Sequence, residues 1–127
     1  MPIGLYVHVP YCRRRCPYCD FLSRATPGHA PSEYVAAVAR QIRGFEGPDE
    51  ARTLFFGGGT PSLLREADLE AILEAVRERF RCVDGMEVTI EANPDDVTVE
   101  RCQAWRAMGV NRLSLGVQSF DEDALRY

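Results

Sequence analysis

The sequence contains no lysine, so all fifteen of its basic residues are arginines. Nineteen acidic residues outnumber them, and the formal net charge is −4, with both signs spread over the two halves of the chain. Proteins that bind a phosphate backbone concentrate positive charge on one surface. The composition therefore predicts that nucleic acid is not a partner.

Long apolar segments are also absent. The longest apolar run, Ile3–Val9, is interrupted by His8 and is far shorter than the ~20 residues of a spanning helix. No basic, apolar and small-residue progression of a secretory signal opens the chain. We therefore expect a cytoplasmic protein without a transmembrane segment, in which the five cysteines are free thiols or metal ligands. Cys82 and Cys102 stand alone and are expected to be plain thiols.

Three of the cysteines lie close together directly after the first apolar run. Cys12, Cys16 and Cys19 form a CxxxCxxC motif, and thiolates favour zinc or iron–sulfur clusters. A structural zinc ion takes four protein ligands, whereas a 4Fe–4S cluster held by three leaves one iron open to a small molecule. The motif alone leaves three interpretations open: such a cluster, a zinc site completed by His8 or Asp20, or three unconnected thiols.

Apolar periodicity predicts strands that alternate with helices. Ser32 and Thr98 are the expected N-caps, and Gly47-Pro48 and Gly109 are expected to follow helix ends. In the third helix, Val99, Cys102, Trp105 and Met108 are expected to point inward. The predicted strands are residues 3–9, 53–56, 86–91 and 112–117, and the predicted helices begin at Ser32, at Glu66 (to residue 80), after Thr98 and at Asp121.

Four strands alternating with helices predict an α/β fold with a parallel sheet and right-handed crossovers. No GxGxxG follows the first strand, and residues 57–60 lack the lysine of a P-loop, so the common nucleotide folds are disfavoured. A (β/α) barrel remains, but closing one takes ~200 residues or more. Residues 1–127 are therefore predicted to be the N-terminal arc of a partial TIM-like barrel domain in a longer protein.

Polar and aliphatic residues alternate within these strands. We expect the aliphatic faces, including Leu113, Leu115 and Val117, to lie under the helices, which leaves the polar face concave. That face would carry Tyr6, His8, Glu91, Ser114 and Gln118. Several of these residues end their strands, where barrel active sites lie, so they indicate a binding site. The alternative is that they only hydrogen-bond one another across the strands.

Four further motifs carry a resemblance to a known family. They are LYVHVPYC at residues 5–12, FGGGTP at 56–61, EANP at 91–94 and LGVQSF at 115–120. With the cysteine motif they resemble the radical SAM superfamily, and within it the oxygen-independent coproporphyrinogen III oxidases and their relatives, the HemW heme chaperones. The residues after Cys19 are Asp20-Phe21, whereas the oxidases carry a Cys-x-Cys motif at this point. The cysteine motif also begins almost at Met1. Both differences favour the heme chaperone branch.

The resemblance implies a 4Fe–4S cluster that binds S-adenosyl-L-methionine (SAM) at its open iron. Cys12, Cys16 and Cys19 would be the cluster ligands, and no catalytic residue is assigned. His8 could contact substrate or a cluster sulfur, or be a structural histidine. The three arginines between the first two ligands could tune the cluster or dock an electron donor such as flavodoxin or ferredoxin, or be a solvated loop. The implied SAM contacts are Tyr6, Tyr18, Gly58, Gly59, Thr60, Glu91 and Gln118.

The implied chemistry is reductive cleavage of SAM to methionine and a 5′-deoxyadenosyl radical. For the heme chaperone branch, the resemblance further implies binding of heme and its delivery to client proteins. Two alternatives are kept: a coproporphyrinogen III oxidase of porphyrin biosynthesis, whose decarboxylase activity Asp20-Phe21 puts in doubt, and a metal-binding module without catalysis.

Overall fold

The structure is a computed structural model that describes residues 1–12, 24–25 and 29–116. The strands in these ranges are β1 (Ile3–Val9), β2 (Tyr11–Cys12), β3 (Arg24–Ala25), β4 (Glu50–Gly58), β5 (Arg81–Ala92) and β6 (Arg112–Leu115). The helices are α1 (Ser32–Arg43), α2 (Glu66–Arg79) and α3 (Val99–Met108), with single 3-10 turns at Pro61–Leu63 and Pro94–Asp96. None of the described helices has the length and apolar character needed to cross a bilayer.

Four strands form a parallel sheet in the order β1-β4-β5-β6, which is also their order along the chain. A separate two-stranded parallel pair joins β2 to β3. The predicted parallel α/β sheet is confirmed. Because all four strands run parallel, their carboxyl ends meet at one edge of the sheet, and the loops that follow them gather there.

The core lies between the helices and one face of the sheet. The apolar residues of β1 that alternate with exposed ones, Val7 and Val9, are buried, as are Leu54 and Phe56 of β4. Burying an aliphatic or aromatic side chain contributes ~1.5–3 kcal/mol, so this face holds the sheet to the helices. The core residues that the helices contribute include Val35, Leu69, Ile72, Leu73, Val76 and Trp105.

The aliphatic face of β6 departs from the prediction. Leu113 and Leu115 are 37% and 46% exposed, so the expectation that helices cover them is wrong for the described residues. The reason is position: β6 is the edge strand of the sheet, and no helix follows it within the part of the chain that the structure describes. The strand ends at Leu115, so its predicted extension over Gly116 is wrong, whereas Val117 and the predicted helix from Asp121 lie outside the described residues.

Several predicted element ends shift. Pro31, with φ −62° and ψ 144°, takes the N-cap position of α1 without a side-chain bond, so Ser32 is the first helical residue and not the cap. Proline fixes its own φ near that value, which places it naturally at this boundary. At the other end α1 stops at Arg43, before the predicted stop at Gly47-Pro48: the N–H of Gly44 makes the last i→i−4 bond, to Arg40, and the N–H of Phe45 bonds to Ile42, three residues back.

Strands β4 and β5 are longer than their apolar cores. β4 covers Glu50–Gly58 and β5 covers Arg81–Ala92, against predictions of 53–56 and 86–91. The extra residues pair through their backbones regardless of polarity: Glu50 lies opposite Arg81, and the two side chains also form an ion pair. Apolar alternation marks only the buried stretch of a strand, so it underestimates such ends.

The ends of α3 are as predicted. Thr98 accepts a hydrogen bond from the N–H of Arg101 at 3.1 Å, and Gly109 follows the helix with φ 109°. Trp105 is buried, but Val99 is 69% exposed, so its predicted inward orientation is wrong. Val99 is the first residue of α3, and this end of the helix lies at the protein surface.

We expect Thr98→Ala to lower the free energy of unfolding by about 1 kcal/mol, because the N–H of Arg101 loses its side-chain acceptor. Chemical denaturation of the two proteins measures this difference. Thr98→Ser keeps the hydroxyl and should recover most of the loss; an equal loss in the serine variant would contradict a capping role.

Candidate functional site

The carboxyl edge of the sheet collects the polar residues that the strand alternation predicts. Tyr6 and His8 of β1 are exposed, on the side opposite Val7 and Val9. Glu91 on β5 is half-buried. Ser114, which lies opposite Glu91 in the β5–β6 register, is also half-buried. The predicted polar face is therefore present for four of its five residues, and the fifth, Gln118, lies outside the described residues.

Three glycines and a threonine, residues 57–60, form the last two residues of β4 and the first two residues after it; we call this segment the glycine loop. Gly58 has φ +110°, a conformation that favours glycine. Its N–H donates to Oε1 of Glu91 at 3.2 Å. A Cβ on Gly58 would lie 2.7 Å from Nδ1 of His8, and one on Gly57 would lie 2.4 Å from Oε1 of Glu91. The glycine loop thus brings β1, β4 and β5 into contact.

The glycine loop also holds the segment that leads to the cysteine motif. The N–H of Gly59 donates to the carbonyl of Val9, and the N–H of Thr60 donates to the carbonyl of Tyr11, each at 2.7 Å. A Cβ on Gly59 would lie 2.6 Å from that carbonyl oxygen of Tyr11. The family resemblance implies that Gly58 and Gly59 contact SAM. In the structure they first let the chain approach itself.

Cys12 is the one residue of the cysteine motif within the described ranges, and it ends β2. Its thiol is free and 7% exposed, and its backbone pairs with Ala25 of β3. Cys16, Cys19 and Tyr18 lie outside the described residues. Among the residues that are described, no three metal-binding side chains come together, which leaves the ligand set of the motif a prediction.

Tyr6 is the aromatic group of this face. It is 59% exposed and stacks on Phe55 of β4, with ring centroids 5.9 Å apart and planes 15° apart. Partial burial, and then the negative charge of Glu91, raise the pKa of the Tyr6 phenol above its ordinary value. At neutral pH the hydroxyl is therefore a proton donor. Phe55 was missed by the sequence reasoning, although the alternation of β4 places it on the same face as Gly57.

Tyr34 of α1 is a second residue of this region that the sequence does not identify, because its spacing on the helix indicates only an inward-facing side chain. Its hydroxyl donates to the carbonyl oxygen of His8, and its ring lies edge-on to Tyr11, with centroids 5.3 Å apart and planes at 79°. Periodicity gives the side of a helix that faces the sheet, but not which polar atom a phenol reaches. Tyr34 therefore links α1 to the end of β1.

The pKa of Tyr34 is raised above 10.0, first by burial and then by Tyr11 and Tyr6. A raised pKa means that the folded state holds the phenolic proton more tightly than the unfolded chain. The stabilisation is therefore complete below pH 10.0 and declines as the pH rises above it. We expect the unfolding free energy of the wild type to fall relative to Tyr34→Phe between about pH 9 and about pH 11. Urea denaturation across this range measures it, and parallel curves would contradict it.

The remaining described cysteines lie away from this edge. Cys82 is half-buried, with its sulfur 3.9 Å from the carbonyl of Phe80, and burial raises its pKa. A raised pKa keeps a thiol protonated and unreactive. Cys102 is half-buried on α3. Both environments agree with the expectation of plain thiols.

Comparison with known proteins gives consistent matches along the whole chain. Residues 6–127 match the family model described as the Radical SAM superfamily. The heme chaperone HemW of Escherichia coli (strain K12) is 41% identical over 98% of this chain and 34% of its own length. The mitochondrial radical S-adenosyl methionine domain-containing protein 1 of Bos taurus is 41% identical over 97% of this chain and 28% of its own length. The chain thus spans about a third of the curated relatives it matches.

A solved structure matches the fold. It is the coproporphyrinogen III oxidase HemN from Escherichia coli, described as a radical SAM enzyme, with 31% sequence identity and a TM-score of 0.85. The match covers 98% of this chain and 30% of that chain. The likeness supports the predicted fold class, an N-terminal arc of a larger α/β structure.

Proposed function

The chain belongs to the radical SAM superfamily, and we propose that it is the N-terminal part of a heme chaperone that binds a 4Fe–4S cluster and SAM. Membership in the superfamily implies that the protein binds the 4Fe–4S cluster and SAM. Heme binding and the delivery of heme to client proteins are our proposal. One observation carries it: relatives named heme chaperone HemW match 98% of this chain, at 41% identity in Escherichia coli and in Synechocystis. The cytoplasmic location expected from the sequence stays a prediction.

The described part of the site fits a cluster bound at the carboxyl edge. Cys12 offers a buried free thiol there, and its backbone is fixed on one side by β3 and on the other by Thr60, which bonds to the preceding residue. Thiolates are the ligands that iron–sulfur clusters take. We propose Cys12, Cys16 and Cys19 as the three ligands.

The geometry around Glu91 supports a SAM site beside that thiol. Gly58 and Tyr6 both lie close to the carboxylate of Glu91. Oε1 of Glu91 accepts a hydrogen bond from the Gly58 N–H, and a Cβ on Gly57 would touch both Glu91 and the Tyr6 hydroxyl. A carboxylate and a neutral phenol can accept from and donate to hydroxyl and amino groups. The proposed SAM contacts are Tyr6, Tyr18, Gly58, Gly59, Thr60, Glu91 and Gln118.

Bound together, the reduced cluster and SAM would supply the electron transfer that cleaves SAM to methionine and a 5′-deoxyadenosyl radical. The chain's own residues bind and orient. Glu91 is held by the N–H of Gly58, and the aromatic rings of Tyr6 and Phe55 form an apolar wall. The three arginines after Cys12 are proposed to face an acidic electron donor such as flavodoxin or ferredoxin.

A second candidate is a coproporphyrinogen III oxidase. The structural likeness to HemN, with a TM-score of 0.85, favours it. The residues Asp20-Phe21 after Cys19 weigh against it, because the oxidases carry a Cys-x-Cys motif at this point of the sequence. The heme chaperone is therefore placed first.

The test uses the full-length protein, reconstituted anaerobically with iron and sulfide. We expect a 4Fe–4S electron paramagnetic resonance (EPR) signal that SAM perturbs, and transfer of heme to an acceptor protein without consumption of coproporphyrinogen III. Stoichiometric zinc in place of iron would overturn the cluster assignment. Substantial decarboxylation of coproporphyrinogen III would reverse the order of the two candidates.

A further inference from the structure

We propose that Tyr34 is a positioning residue for the first cluster ligand, acting through its hydroxyl bond to His8 and its ring contact with Tyr11. The inference rests on the proposed cluster at Cys12. It assigns to α1 a part in the site that neither the cysteine motif nor the glycine loop indicates.

The path of the chain before Cys12 offers little support of its own. From His8 to Cys12 the backbone leaves the main sheet at Pro10 and enters the short strand β2. A strand of two residues has few backbone hydrogen bonds of its own. The position of the Cys12 thiol therefore depends on what holds the four residues before it.

Residues 8–11 are held from two sides. From the sheet, the N–H groups of Gly59 and Thr60 bond to the carbonyls of Val9 and Tyr11. From the helix layer, the Tyr34 hydroxyl bonds to the carbonyl of His8. The anchored carbonyls thus belong to residues 8, 9 and 11, and a side chain of α1 holds the first of them.

The hydroxyl and the ring of Tyr34 make separate contacts. The ring of Tyr34 packs edge-on against Tyr11, the residue before the ligand, and a phenylalanine would keep that contact. The hydroxyl alone reaches His8. Burial raises the pKa of this phenol, so it stays a donor throughout the physiological range. A purely structural aromatic residue would need only the ring.

The test compares Tyr34→Phe with the wild type in the full-length protein. In the metal-free protein, we expect hydrogen exchange at the Gly59 and Thr60 amides to become about fivefold faster, the factor that one net hydrogen bond contributes to an equilibrium. In the reconstituted protein, we expect iron to be lost to a chelator about fivefold faster and the EPR signal with SAM to broaden or shift.

Ile42→Ala is the matched control. Ile42 lies two turns further along α1, is half-buried and packs against the core, so its truncation costs stability but removes no hydrogen bond or ring contact to residues 8–12. We expect this variant to unfold more easily than Tyr34→Phe but to keep wild-type exchange at residues 59–60, wild-type iron loss and the wild-type EPR signal.

The experiment distinguishes failure of the positioning role from failure of the proposed function. If the wild type loads its cluster and Tyr34→Phe matches it in exchange, iron loss and EPR signal, the positioning role is wrong and the proposed function stands. If Ile42→Ala changes these readouts as much as Tyr34→Phe, the effect is general to α1 and the role is also wrong. If the wild type binds no iron, the proposed function and the inference fall together.

Discussion

Replacing Cys12 with alanine is expected to remove the iron–sulfur cluster, and with it SAM binding, from the full-length protein. The proposed site has three thiolate ligands, and SAM would bind the iron that they leave open. Among the described residues, no group of three metal-binding side chains offers an alternative site. Iron and acid-labile sulfide per chain should fall to background after anaerobic reconstitution, a loss of about tenfold or more for an outright ligand deletion. Equilibrium dialysis with SAM measures the second loss.

The matched controls are the cysteines outside the motif. Cys82→Ala and Cys102→Ala remove thiols that are half-buried on β5 and α3, and both variants should keep wild-type iron and SAM binding. Full iron content in Cys12→Ala would show that the motif is not the ligand set. Loss of iron in all three variants would show that unfolding, and not ligation, decides the result.

The second large effect is expected for Gly59→Ala. A Cβ at this position would lie 2.6 Å from the carbonyl oxygen of Tyr11, and 2.9 Å and 3.0 Å from its carbonyl carbon and amide nitrogen. These are backbone atoms of a neighbouring strand, which cannot rotate away as a side chain can. We expect the free energy of unfolding to fall by about 3 kcal/mol and the iron content to fall with it, because the displaced residue precedes Cys12.

Gly44→Ala tests whether a methyl group added to any glycine has this effect. Gly44 follows α1 with φ −87°, and a Cβ there would lie 3.4 Å from the carbonyl of Arg40. We expect a change of less than about 1 kcal/mol and unchanged iron content. Chemical denaturation and iron analysis of both variants give the comparison. Equal stabilities of Gly59→Ala and the wild type would mean that the loop can shift away from Tyr11.

The alternation of strands with helices along the chain was enough to predict the parallel sheet, and the alternation of residues within the strands was enough to predict the polar face. Val7 and Val9 are buried while Tyr6 and His8 are exposed, as a period of two requires. The same reasoning failed for Leu113 and Leu115, because it assumes that every aliphatic face has a helix against it. Burial depends on what else packs there, and a single strand does not contain that information.

The contacts that define the site were less predictable than its residues. Glu91 and Gly58 were both identified, but their hydrogen bond depends on how β4 and β5 align, which a sequence pattern does not give. Tyr34 shows the limit most clearly. Its spacing on α1 predicts an inward side chain, whereas its partner, the carbonyl of His8, is a backbone atom that has no sequence signal.

The bond between Gly58 and Glu91, and those from residues 59 and 60 to Val9 and Tyr11, also constrain the order of events during synthesis. Cys12 leaves the ribosome well before β5 is made, and parallel pairing of distant strands is slow compared with local helix formation. The hydrogen bond from Gly58 to Glu91 can form only when β5 has joined β4. Cluster insertion is therefore expected to follow folding of at least the first 92 residues, and a nascent chain shorter than that offers thiols but no site.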